Sequence, residues 1–96
     1  MDNATRFLNA FSIIEQRCRE ITNEDRTAKF YLVLRNAAKV NEIIRRYQID
    51  LQDYSELRNA LVHDRSDSGE VIAQPIDEVT NHIEKIAAML NKPESL

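Results

Sequence analysis

Residues 42–65, EIIRRYQIDLQDYSELRNALVHDR, decide the fold class. Large apolar residues recur here every three or four positions, which is the spacing of one face of an α-helix. They are Ile44, Tyr47, Leu51, Tyr54 and Leu61. The spacing predicts one long helix that begins after an N-capping Asn41. Arg58 also occupies a position of this apolar stripe, although an arginine always keeps its charge.

The segment before this helix shows the same periodicity twice. A first helix is expected from residue 2 to about residue 21, capped by Asp2 or Asn3, and a polar joint follows at residues 22–27. Its inward residues are Phe7, Phe11, Ile14, Cys18 and Ile21. A second helix is expected to have a wide apolar face made of Phe30, Tyr31, Val33, Leu34, Ala37, Ala38 and Val40. Whether it ends at Asn41 or nearer residues 49–50 stays open.

The segment after residue 65 predicts a loop and one more helix. Residues 66–75 contain the chain's only glycine and are expected to form a loop, with a short extended piece at residues 71–72. A last helix follows Pro75, with acidic residues in its first turn that suit the helix dipole. Its predicted inward residues are Ile76, Val79, Ile83, Ile86 and Leu90.

The composition agrees with an all-α protein. One glycine and two prolines in 96 residues are too few for the many turns of a β-sandwich. The chain length suits a single hydrophobic core. We therefore expect an all-α, four-helix bundle of the up-and-down type. It would form one domain over residues 1–92, with residues 93–96 as a tail or the start of a linker.

The sequence also excludes several classes of protein. A single cysteine, Cys18, allows no internal disulfide, and its place on the helical stripe predicts a small buried side chain. The N-terminus does not resemble a signal peptide, and no apolar run is long enough to span a membrane. We expect a cytoplasmic protein. Two distant histidines and one cysteine offer no zinc spacing, and no glycine-rich phosphate loop is present, so neither metal nor cofactor is expected.

The net charge of −3 is unevenly distributed. Residues 66–96 carry six acidic and two basic side chains, whereas residues 35–65 carry five acidic and six basic ones. The acidic C-terminal segment therefore accounts for the negative net charge, whereas the central segment is slightly basic. This segment leaves room for a basic patch that contacts RNA, formed by Arg45, Arg46, Arg58 and Arg65.

Arg58, Asn59 and His63 form a pattern suited to RNA cleavage without a metal. Histidine titrates near neutral pH and can take the proton of a 2′-hydroxyl, while arginine's planar fork binds a phosphate. Asn59 could orient the histidine or a phosphate oxygen. Positions 58 and 63 lie about 140° apart on a helix, so two copies of the chain packed along the apolar seam would bring these groups together.

The stretch RNALVH, residues 58–63, resembles the R-x4-H motif of HEPN domains, which are small helical bundles. The resemblance implies a homodimer that cleaves RNA, with Arg58, Asn59 and His63 as catalytic residues. The chain is also similar to HEPN-like regions that precede CBS domains in bacterial proteins, which share a "VIA-P" stretch, here residues 71–75. It could then belong to a longer regulatory protein. HEPN toxins that are paired with antitoxins usually carry a tyrosine two places after the histidine, where this chain has Arg65. This difference weakens the expectation of an antitoxin-like partner.

Structural interpretations compete with each of these roles. Arg58 could be a core-edge arginine paired with Glu15, with Glu42 or with a carboxylate of a second copy, and His63 could simply stabilise a helix C-terminus. The chain would then be a non-catalytic dimerisation or ligand-sensing module. The tyrosines are expected in the core, and His82 is expected to be solvated. Neither DNA nor a membrane is an expected partner.

Overall fold

The computed structural model describes the backbone of residues 1–68 and 74–91 and the side chains of residues 1–62 and 74–91. The described residues form five helices. These are α1 (Asn3–Thr22), α2 (Phe30–Val40), α3 (Glu42–Arg46), α4 (Gln48–Ser68) and α5 (Asp77–Asn91). The expected all-α helical bundle is confirmed, and none of the described residues lies in a strand.

Local capping sets the ends of α1. The Asp2 side chain accepts a hydrogen bond from the Thr5 amide at 2.8 Å, so one of the two predicted capping residues takes this role. At the other end Asn23 adopts a left-handed conformation with φ of 56°, which asparagine tolerates better than most residues. The polar joint predicted at residues 22–27 therefore begins one residue later than expected, at Asn23.

The long helix predicted from residue 41 is divided at Tyr47 into α3 and α4. Asn41 marks the break before α3, because its backbone is extended and its side chain accepts a hydrogen bond from the Ile44 amide at 3.0 Å. No glycine or proline marks the second break. It coincides with an edge-to-face contact between the Tyr47 and His82 rings, 5.5 Å between centroids.

One face of α1 packs into the core, where α1 contacts α2, α4 and α5. Phe7, Phe11, Ile14 and Cys18 are buried on one face of α1, as the periodicity predicted. Hydrogen bonds join Asn3 to Asp77 and Arg6 to Glu84, so α1 and α5 run side by side in the same direction. The bundle thus differs from a simple up-and-down order of four helices, in which the first and last helices are antiparallel.

Three residues predicted to face inward are exposed instead: Tyr31, Val40 and Ile76. Val40 is the last residue of α2 and Ile76 directly precedes α5, so both lie at the end of a helix. The loop predicted at residues 66–75 was wrong at its start, because α4 continues to Ser68. The extended piece predicted at residues 71–72 lies outside the described residues. Within the described part of the chain, no helix is long and apolar enough to cross a membrane.

Candidate functional site around Arg58

Arg58 lies on the face of α4 that packs toward the domain. Leu51 and Leu61, seven positions before it and three after it, are buried on this face, and so is Ser55. The helical register therefore directs the Arg58 side chain toward α1 rather than toward solvent. A fixed positive charge in such a place needs compensating contacts.

Two residues of α1 supply the contacts of the Arg58 guanidinium. Its Cζ lies 4.8 Å from the centroid of the Phe11 ring, which is within range of a cation–π interaction. Its Nη1 lies 3.9 Å from Oε1 of Glu15, close enough for an ion pair but too far for a hydrogen bond. The side chain remains 27% exposed. The buried Nε of Arg58 has no acceptor among the described residues.

Glu15 is shared between two arginines. Its Oε2 accepts a hydrogen bond from Nη2 of Arg19 at 2.9 Å, whereas Oε1 faces Arg58 at the longer distance. Nη1 of Arg19 also donates to the backbone carbonyls of Asp25 and Ala28, at 2.7 and 2.9 Å. Arg19 is thus the better anchored of the two arginines, and its side chain is only 14% exposed. The contacts of Glu15 with Arg58 and with Arg19 therefore connect α4 to the loop that follows α1.

The predicted catalytic set also includes Asn59 and His63, and Asn59 does not share the surroundings of Arg58. Asn59 is exposed, and its position lies about 100° around α4 from the inward-facing Arg58. Position 63 is helical and lies about 140° around α4 from position 58. The His63 side chain itself lies outside the described residues. Arg58 and Asn59 are adjacent but face different surroundings.

The described arginines of the predicted basic patch also differ from one another in their surroundings. The Arg45 guanidinium donates to the carbonyls of Ala38 and Lys39, at 2.9 and 3.1 Å, and so caps the C-terminus of α2. Arg46 is exposed and pairs with Glu42 at 3.4 Å, one helical turn away. The side chain of Arg65 lies outside the described residues. Arg46 is therefore the described member of the patch that is most available to a phosphate.

Sequence reasoning anticipated Glu15 as one of three partners for Arg58 but missed Phe11 and Arg19. The i, i+4 spacing of Glu15 and Arg19 was a signal for their pairing. The expectation that His82 is solvated was wrong, because its Nδ1 lies 2.6 Å from the Tyr54 hydroxyl and its ring is half-buried. Tyr47 and Tyr54 pack against the core as expected, whereas Tyr31 does not.

An open hollow of about 750 Å³ lies beside Glu15 and Arg19, along the outer face of α1 and the following loop. Four acidic residues line it, among them Glu20, Glu24 and Asp25, against two arginines, and this net negative charge makes it unsuited to a phosphate. Among the described residues, no group of three or more histidine, cysteine or acidic side chains is arranged to hold a metal ion. Comparisons with protein-family models, curated protein sequences and solved structures find no match for this chain.

Proposed function

We propose that the chain is an HEPN-type, metal-independent endoribonuclease whose active site is completed by a second copy. Arg58 binds the scissile phosphate, Asn59 helps to orient it, and His63 takes the proton from the 2′-hydroxyl. The 2′-oxygen then attacks phosphorus, and the bond to the 5′-oxygen breaks. A protonated His63 from the other copy supplies the proton to that leaving oxygen. The products are a 2′,3′-cyclic phosphate and a 5′-hydroxyl end.

The observation that carries this proposal is the incomplete pairing of Arg58 within the part of the chain that the structure describes. Its guanidinium is oriented by Phe11, remains 27% exposed and lies 3.9 Å from Glu15, so the ion pair leaves it able to bind a phosphate. The helix that carries it continues without interruption through position 63. The motif residues therefore sit on one rigid element, as a catalytic constellation requires.

The need for a second copy follows from the register of α4. Because positions 58 and 63 face different sides of α4, a second copy would bring the two groups to one phosphate more readily than a single chain. Two copies related by a twofold axis along α4 could place the Arg58 of one chain beside the His63 of the other. Such an arrangement would also cover Val62, which is exposed on the described surface of α4.

A second candidate function is a non-catalytic dimerisation or ligand-sensing module. The contact with Glu15 favours it, because a carboxylate of the same chain already compensates the charge of Arg58. In this alternative the arginine anchors α4 to α1, and the histidine has no chemical role. The two candidates differ in whether the protein cuts RNA.

The test is cleavage of mixed cellular RNA by the purified protein in EDTA, alongside His63→Ala and Arg58→Ala. Arg35→Ala is the matched control, because this arginine is exposed on α2 and lies outside the predicted set. A DNA oligonucleotide that lacks 2′-hydroxyls is the substrate control. The nuclease predicts cutting by the wild type and the control variant, no cutting by either site variant, and an intact DNA strand. A folded dimer that leaves all RNA intact would favour the interaction module. Sedimentation velocity establishes the oligomeric state in the same buffer.

A further inference from the structure

We propose that Glu15 is a positioning residue. It orients the Arg58 guanidinium in the free protein, and an RNA phosphate displaces it from Arg58 on binding. This inference rests on the proposed use of Arg58 as the phosphate-binding group. It concerns a residue of α1 that lies outside the motif and reaches the site only through the packing of α1 against α4.

Because Glu15 is bound more closely to Arg19 than to Arg58, little free energy is needed to separate it from Arg58. Its carboxylate is hydrogen-bonded to Arg19 at 2.9 Å but lies 3.9 Å from Arg58. Two backbone carbonyls of the loop after α1 hold Arg19 in place. When a phosphate displaces Glu15 from Arg58, Glu15 stays paired with Arg19. No unpaired carboxylate is then left at a half-buried position.

The ring of Phe11 keeps the guanidinium in place during this exchange. Cζ of Arg58 lies over the Phe11 ring, 4.8 Å from its centroid, whereas Glu15 approaches the N–H groups at Nη1. A phosphate also binds the edge of a guanidinium, through its N–H groups. Glu15 therefore competes with a phosphate while Phe11 does not, and the two residues have separable effects on binding.

The experiment measures the affinity of a fluorescent 2′-O-methyl oligoribonucleotide, which binds but cannot be cleaved because its 2′-oxygen carries no proton. Glu15→Gln keeps the shape of the side chain and removes the competing charge. We expect the dissociation constant to fall about two- to fivefold at low salt, a size typical of one partly exposed ion pair. Glu15→Asp should restore the wild-type affinity in large part.

Two further variants separate this effect from a general change in charge. Glu20→Gln is the matched control, because it lies on the same helix and changes the net charge equally, but pairs with Arg17. Its effect should be smaller than that of Glu15→Gln. Combining Glu15→Gln with Arg58→Gln should remove the gain, since no guanidinium is left to benefit.

Arg19→Gln provides a test of opposite sign that does not depend on the stability of a Glu15 variant. Without Arg19, Arg58 is the one charged partner that the described residues leave to Glu15, so binding of the oligonucleotide should weaken. Equal effects of Glu15→Gln and Glu20→Gln, or tighter binding by Arg19→Gln, would overturn the inference. So would undetectable binding by every variant.

The nuclease proposal and this inference can fail independently. A gain in affinity that depends on Arg58, in a protein that cuts no RNA, would leave the role of Glu15 standing and remove the catalytic one. RNA cleavage with no change in affinity or KM on Glu15→Gln would do the reverse. Circular dichroism melts of each variant confirm that the compared proteins are folded.

Discussion

The Tyr54 hydroxyl lies 2.6 Å from Nδ1 of His82, and this contact links α4 to α5. Burial, and then the nearby charges of Asp50, Asp53 and Glu78, raise the pKa of Tyr54, so the phenol keeps its proton at neutral pH. It can donate to Nδ1 when the imidazole carries its own proton at Nε2. The same helix bears Arg58 four residues later, so this contact helps to set the position of the candidate site.

Replacing Tyr54 by phenylalanine should lower the free energy of unfolding by about 1 kcal/mol, the usual net value of one hydrogen bond. The ring contact with Phe7, 5.8 Å between centroids, would be kept. Urea denaturation measures the change. Tyr31→Phe is the control, because Tyr31 is exposed and should tolerate the loss of its hydroxyl. Equal effects of the two substitutions would contradict a stabilising Tyr54–His82 contact.

Arg58→Met should change the free energy of unfolding by less than about 1 kcal/mol. The thioether side chain can still cover Phe11, the unpaired buried Nε disappears, and Glu15 keeps Arg19. Arg19→Met should cost about 2 kcal/mol or more, because it removes hydrogen bonds to two carbonyls and to Glu15. Denaturant titration compares the variants, and the opposite ranking would show that Arg58 is the main anchor.

Glu84 should stabilise the fold at neutral pH and stop doing so in acid. A hydrogen bond from Arg6 holds the pKa of the Glu84 carboxyl below its usual range. A lowered pKa in the folded state adds stability above the usual carboxyl pKa, and the added stability is lost as the pH falls through the lowered value. Glu84→Gln should therefore lower Tm at pH 7, and its difference from the wild type should narrow below about pH 4.

The control for this measurement is Glu56→Gln, on the exposed side of α4. Its Tm should follow that of the wild type at both pH values. A Tm difference for Glu84→Gln that stays constant down to pH 2 would show that the Arg6 contact contributes through shape and not through charge.

Cys18 should resist alkylation until the protein unfolds. Burial raises the pKa of its thiol to about 12, so almost no reactive thiolate is present at pH 8. Iodoacetamide labelling followed by mass spectrometry should be slow in buffer and fast in urea. Rapid labelling of the native protein would show that α1 opens locally. Because the unfolded thiol ionises near pH 9, stability should also decline as the pH rises from there toward 12.

The fold was predictable to the extent that it depends on neighbours along the chain. The expected first helix and the observed α1 differ by one residue at each end, because capping by Asp2 and the apolar period are local properties. The division at Tyr47 was not predictable in this way. It accompanies a ring contact with His82, 35 residues further along the chain, and no local signal precedes it.

The sequence by itself determined the all-α class, the Asn41 cap and the presence of Arg58 on the inward stripe of a helix that also includes position 63. Only the tertiary structure decided which of the three expected carboxylates meets Arg58. It is Glu15, 43 positions earlier, because α1 packs against α4 and brings Glu15 and Phe11 to the same guanidinium. Helical periodicity depends on residues three and four apart, whereas an ion pair between helices depends on how their faces pack.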